Sequence, residues 1–142
     1  MKFNPAREVE YRVQLAREYL EDAENRFGSN DHKGCVQYSQ LAAENSAKAV
    51  IATRRTPTWG HDPSAELFQI ASQLGSELAG KATKLAELSS QLAPEHGRTT
   101  YGEPDQFKTP RMLYDLDSAN RAIAIAREAI EIMNQILAAL EK

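Results

Sequence analysis

The feature that most constrains this chain is the spacing of its apolar residues, which advance by threes and fours almost from end to end. Val9, Val13, Ala16, Leu20, Ala23 and Phe27 follow this step. On a helix of 3.6 residues per turn they fall on one face, so Pro5 to Phe27 reads as a helix burying a single stripe. Pro5 suits a first turn, where its missing N–H costs nothing. Gly28-Ser29-Asn30-Asp31 then ends that helix and offers a cap for the next. No stretch alternates with a period of two, so no strand is expected.

The second helix is expected from about Asp31 to Thr53, with Cys35, Tyr38, Leu41, Ala42, Asn45, Ala49 and Ala52 facing inward. Ala42, Ala43, Ser46, Ala47 and Val50 make a face of small residues wide enough to suggest a second copy packing there. Glu44 and Lys48 stand in the favourable i,i+4 order for a helix ion pair. Arg54 to Pro63 breaks the pattern with two prolines and a glycine, so it reads as a loop. Asp62-Pro63 looks like the cap and first turn of a third helix carrying Leu67, Ile70, Ala71, Leu74 and Leu78. Gly75 and Gly80 weaken that helix, and a break is expected near Gly80. The stripe resumes at Leu85, Leu88 and Leu92. Pro94 to Pro110, rich in Gly and Pro, reads as a second long loop, a kind that is usually functional or mobile. The last helix, about Arg111 to Glu141, carries Leu113, Leu116, Ile123, Ile130, Met133, Ile136, Leu137 and Leu140. The expected architecture is all-α, an up-and-down bundle of four to five helices.

Composition narrows the partners. The 142 residues suit a single domain spanning the whole chain. A net charge of −3 argues against a protein whose entire surface grips nucleic acid or an anionic membrane, while leaving room for a local basic patch. The lone Cys35 excludes an intrachain disulfide and a multi-cysteine zinc site. His32, His61 and His96 show no paired-ligand spacing, so neither a metal nor a cofactor is expected. Met1 to Pro5 lead directly into charged residues with no apolar signal segment, and no run approaches a membrane span. The expected location is therefore cytoplasmic.

A family resemblance is carried by particular residues. They are Tyr38-Ser39-Gln40-Leu41-Ala42-Ala43-Glu44-Asn45-Ser46-Ala47-Lys48-Ala49-Val50, then Gly60-His61-Asp62, Arg98-Thr99-Thr100-Tyr101, and a helix opening at Tyr114-Asp115. Together they resemble the HEPN domain (higher eukaryotes and prokaryotes nucleotide-binding) over almost the whole chain. The resemblance implies a helical bundle that dimerises and is tied to nucleotide or RNA chemistry. It also implies, as in many prokaryotic members, a small nucleotidyltransferase as partner in a toxin–antitoxin-like pair.

Active members of that family carry Arg, four to six residues, then His, near the start of the last core helix. Histidine supplies a proton acceptor near neutral pH for attack by the 2′-OH, and arginine steadies charge on the phosphate. Here the equivalent region has Arg98, with Glu103, Pro104 and Asp105 where the histidine would fall. Arg55 with His61, Arg54 with His61 and Arg26 with His32 do match the spacing. With ten arginines and three histidines, chance alone yields about 0.6 such matches, so the pattern is weak.

Each candidate has a plain reading beside a functional one. His61-Asp62 reads first as a helix cap with a packed histidine, and otherwise as a phosphate-facing or catalytic group. Arg54 and Arg55 read as cations at a helix C-terminus, or as an anion site. Arg98 with Tyr101 is an ordinary loop or a nucleotide-contacting arm. Trp59 packs on its loop or offers a stacking surface. Glu44 with Lys48 reads as a helix ion pair, and Cys35 as a small buried hydrophobe. The candidate nucleotide- or RNA-binding set is therefore Arg54, Arg55, His61, Arg98 and Tyr101, in a binding module that works as a homodimer. The alternative is a metal-independent endoribonuclease with His61 as proton acceptor and Arg55 or Arg98 as clamp. Whether the chain is an enzyme is left open by the sequence.

Overall fold

In a computed structural model, which describes residues 4–141, four long helices and three short ones form an all-α bundle. The reading of Met1 to Phe3 as free of a signal segment falls outside the described residues. Helix α1 spans Pro5–Gly28, with the Asn4 side chain accepting the Arg7 N–H at its start. Helix α2 spans His32–Ile51 and is capped by Asp31, whose carboxylate accepts the Gly34 N–H at 2.8 Å. The cap expected at Asp31 therefore forms. From Ala42 to Ala52 every residue of and just beyond α2 is buried, because α1, α7 and α4 surround it.

That enclosure alters the meaning of the small-residue face. Ala42, Ala43, Ser46, Ala47 and Val50 are all fully buried by helices of the same chain. Small side chains here let the chain's own helices approach closely, and this face is not available to a second copy.

Helix α3 (Ser64–Ala71) begins after Asp62, whose carboxylate accepts from the Ser64 N–H and hydroxyl. A 3-10 turn at Ser72–Leu74 leads to α4 (Ser76–Leu92). The break lies at Gly75 and not at Gly80, which is helical. Gly75 has φ 93° and ψ 156°, a region essentially closed to residues with a Cβ, so this glycine sets the bend.

The stretch expected as a long loop contains a helix, α5, at Glu95–Tyr101. Pro94 does not break it, because proline fits just ahead of a first turn. Helix α5 ends at Gly102, with φ 68° and no room for a Cβ against the Lys108 carbonyl. A tight turn closed by backbone bonds between Glu103 and Lys108 follows. The final helical region is split: α6 (Pro110–Leu113) stops at the extended Tyr114, and α7 (Leu116–Leu140) restarts from an Asp115–Ser118 capping box. These two departures raise the number of helices above the expected four to five without changing the architecture. The core is aliphatic, with Ile51, Leu67, Leu85, Met133 and Ile136 fully buried. No helix among the described residues is long and apolar enough to cross a membrane.

Candidate functional site

One face of α2 is polar where a buried helix should be apolar. Gln40, Glu44 and Lys48 recur every four residues and so stand in a row on that helix. All three are nearly inaccessible, at 2%, 5% and 3%. Charges removed from water need partners, and these have them. Lys48 Nζ lies 3.2 Å from Glu44 Oε2, and Gln40 Nε2 donates to Glu44 Oε1 at 3.0 Å. The expected ion pair thus forms, but as part of the interior and not as a surface contact.

Two histidines extend this row outward. His61, on the loop before α3, places Nδ1 3.3 Å from Glu44 Oε1. His96, on α5, places Nδ1 3.1 Å from Gln40 Oε1. A carboxylate and an amide oxygen can only accept, so both Nδ1 atoms donate and each Nε2 is left as an acceptor. The assignment is self-consistent: the Gln40 amide N faces Glu44 and its O faces His96. The two imidazoles stack, with centroids 3.6 Å apart and planes 16° from parallel. His61 is about half exposed, with its side chain at 55%, whereas His96 is partly covered. Desolvation lowers the His96 pKa first, and the adjacent His61 and Lys48 push the same way, against the opposing pull of Glu44. His96 therefore favours the neutral form.

The residues anticipated from sequence do not all meet here. Arg55 Nε bonds Glu66 Oε2 at 3.1 Å, and so is held by α3. Arg54 reaches the Gln73 carbonyl at 3.4 Å and borders a separate groove of about 820 Å³ between the start of α1 and the end of α7. Arg98 is clamped by Glu95 at 2.6 Å and Glu103 at 2.9 Å, and lies over the Tyr114 ring at 5.8 Å. Arg98, Glu95 and Tyr114 line a second groove, about 370 Å³, together with Arg121 and Ser118. Tyr101 is 77% exposed. The third match to the Arg–His spacing also fails to pair: Arg26 sits 3.7 Å from Asp31. His61 is thus the one member of the anticipated set that reaches the buried polar row. Trp59, two residues before it, is 95% exposed.

Sequence reasoning missed Gln40 and His96 as members of the site and took Glu44 and Lys48 as structural. The available signal was the row itself, three long polar residues at i, i+4 and i+8 in a run rich in alanine.

The comparisons with known proteins agree with this fold. The HEPN domain model matches residues 9–136. No curated protein matches the chain. Among solved structures, the chain is similar to TT1696 from Thermus thermophilus, at 20% identity and a TM-score of 0.67, over 90% of this chain and 97% of that one. At that identity the likeness establishes the fold alone. The family match covers nearly the whole chain, and on that ground the protein belongs to the HEPN domain family.

Proposed function

We propose that this protein is a nucleotide- or RNA-associated binding module whose ligand sits over the His61–His96 pair beside Trp59. The observation that supports it most is the interior row Gln40–Glu44–Lys48. A small bundle gains little stability from burying a carboxylate and an ammonium ion, since apolar side chains of like volume would serve as well or better. Such a row fits better as a support that fixes two imidazoles at the surface. An imidazole pair suits a phosphate oxygen, and an exposed indole suits the face of a base. The module works as a homodimer, alone or with a small nucleotidyltransferase in a toxin–antitoxin-like pair. Its second copy docks elsewhere than on the buried small-residue face of α2.

Trp59 is the sole tryptophan, so its fluorescence reports directly on this surface. Titration with ATP, GTP and a short single-stranded RNA is expected to quench it saturably with at least one of them, and His61→Ala is expected to weaken that response. Unchanged emission with all three ligands refutes the reading.

A second reading, RNA cleavage with His61 as proton acceptor, is favoured by one feature: Glu44 orients His61 so that its Nε2 accepts. Against it, Arg55 and Arg98 are both engaged by carboxylates, so neither is a free clamp. Cleavage by the wild type in excess chelator, abolished in His61→Ala, would establish it, and equal activity in the two would remove it.

A further inference from the structure

We propose that Glu44, His61 and His96 form a binding site for a divalent first-row transition ion, zinc fitting best. The proposal stands independently of the nucleotide reading, because metal uptake is measurable with no nucleotide present.

Two imidazoles and one carboxylate are a sufficient protein donor set for such an ion, with remaining positions open to water or ligand. Ligand atoms from the three residues all lie within 4.8 Å of one another. One distance is already suitable. His61 Nδ1 and Glu44 Oε1 stand 3.3 Å apart, long for a charge-assisted hydrogen bond. Tetrahedral zinc with bonds of about 2.0–2.1 Å sets its donors roughly 3.3 Å apart. An ion replacing the shared proton leaves Glu44 in place, and only the imidazoles have to reorient.

The surroundings supply what metal-bound residues ordinarily have. His96 Nδ1 donates to the Gln40 amide oxygen, which leaves Nε2 to coordinate and fixes the ring's tautomer. Glu44 is held by Gln40 and Lys48 from the side. His61, half exposed, provides the entry path and the freedom to swing. That swing is needed, because lone pairs of two stacked rings run nearly parallel and cannot converge until one ring turns. Lys48 bears on affinity. Its ammonium group sits on Glu44 Oε2 and leaves Oε1 to the ion, so a positive charge stays close to the bound metal and weakens it. The site is accordingly expected to be of moderate strength and to release metal to strong chelators.

The test uses the full chain, without an affinity tag and stripped with EDTA. Zn²⁺ is titrated in competition with a chromophoric chelator, and Co²⁺ is added separately to read its visible d–d bands. The expected result is one zinc per chain and cobalt bands of the intensity typical of four or five ligands. His61→Ala and His96→Ala should each weaken zinc at least about tenfold, while His32→Ala, remote in sequence and not in the set, leaves affinity unchanged. Circular dichroism of each variant checks that it is folded. Lys48→Met, if folded, should bind zinc more tightly. No stoichiometric zinc uptake by the wild type, or uptake that survives both histidine substitutions undiminished, overturns the proposal.

Discussion

Replacing Lys48 by methionine isolates the energetics of the interior polar row. The side chain keeps its length and loses its charge, so packing changes little and Glu44 is left as a buried carboxylate without its counterion. At 3.2 Å and an effective dielectric of 20, the pair's attraction is about 5 kcal/mol. Removing one partner of a buried pair typically costs about 3–5 kcal/mol, since the remaining charge has no water to turn to. For 142 residues this corresponds to a fall in melting temperature of roughly 10–15 °C. The double variant Glu44→Gln/Lys48→Met removes both charges, and its amide can still meet Gln40 and His61. It is expected to regain at least half of the loss. Urea denaturation followed by circular dichroism, with EDTA present, measures all three proteins. A Lys48→Met cost below about 1 kcal/mol would show that the ammonium group reaches water by a route the structure does not provide, and would refute the account of the row as a sealed interior pair.

Two further outcomes follow from the same structure. His96 has its pKa lowered in the folded chain, by burial and by its neighbours His61 and Lys48, with Glu44 opposing. Its contribution to stability is therefore complete above the unfolded value of about 6.5 and is lost as pH falls through the lower folded value. The urea midpoint should drop more between about pH 7.5 and about pH 5.5 in the wild type than in His96→Gln, and equal drops would contradict the assignment. Cys35, fully buried and with its thiol pushed up by that burial, should react with a disulfide reagent only as the chain unfolds. Labelling in native buffer as fast as in denaturant would show that α2 opens locally.

The long helices were legible because their periodicity records burial directly. Val9 to Phe27 and Ile123 to Leu140 step as a helix must if one side faces a core. The cap at Asp31 follows from short-range chemistry that a sequence displays openly, whereas Asp62 bonds the Ser64 N–H from one residue ahead of the N-cap, Pro63, and the restart at Asp115 was hidden inside the last helix expected from periodicity. Helix α5 was hidden because Pro94, Gly97 and Gly102 read as breakers, although Pro94 precedes the first turn and Gly102 follows the last. The bend moved from Gly80 to Gly75 because only the fold decides which glycine takes the unusual backbone angles. The site was legible in part. His61 stood out beside Trp59, whereas His96 lay far from it in the chain and its partnership depends on where α5 docks. Arg55 and Arg98 looked free in sequence because their carboxylate partners, Glu66 and Glu103, are set by loop and helix geometry.

The two imidazoles rest on one buried row of α2 but are carried by two separate segments. His61 leans on Glu44, within the buried stretch 42–52, and reaches it from the loop before α3. His96 rides on a seven-residue helix bounded by proline and glycine and tied down through Gln40, Tyr114 and Glu103. The spacing of the stacked pair therefore depends on how a loop and a short helix, distant in the chain, both dock on the same buried row of α2.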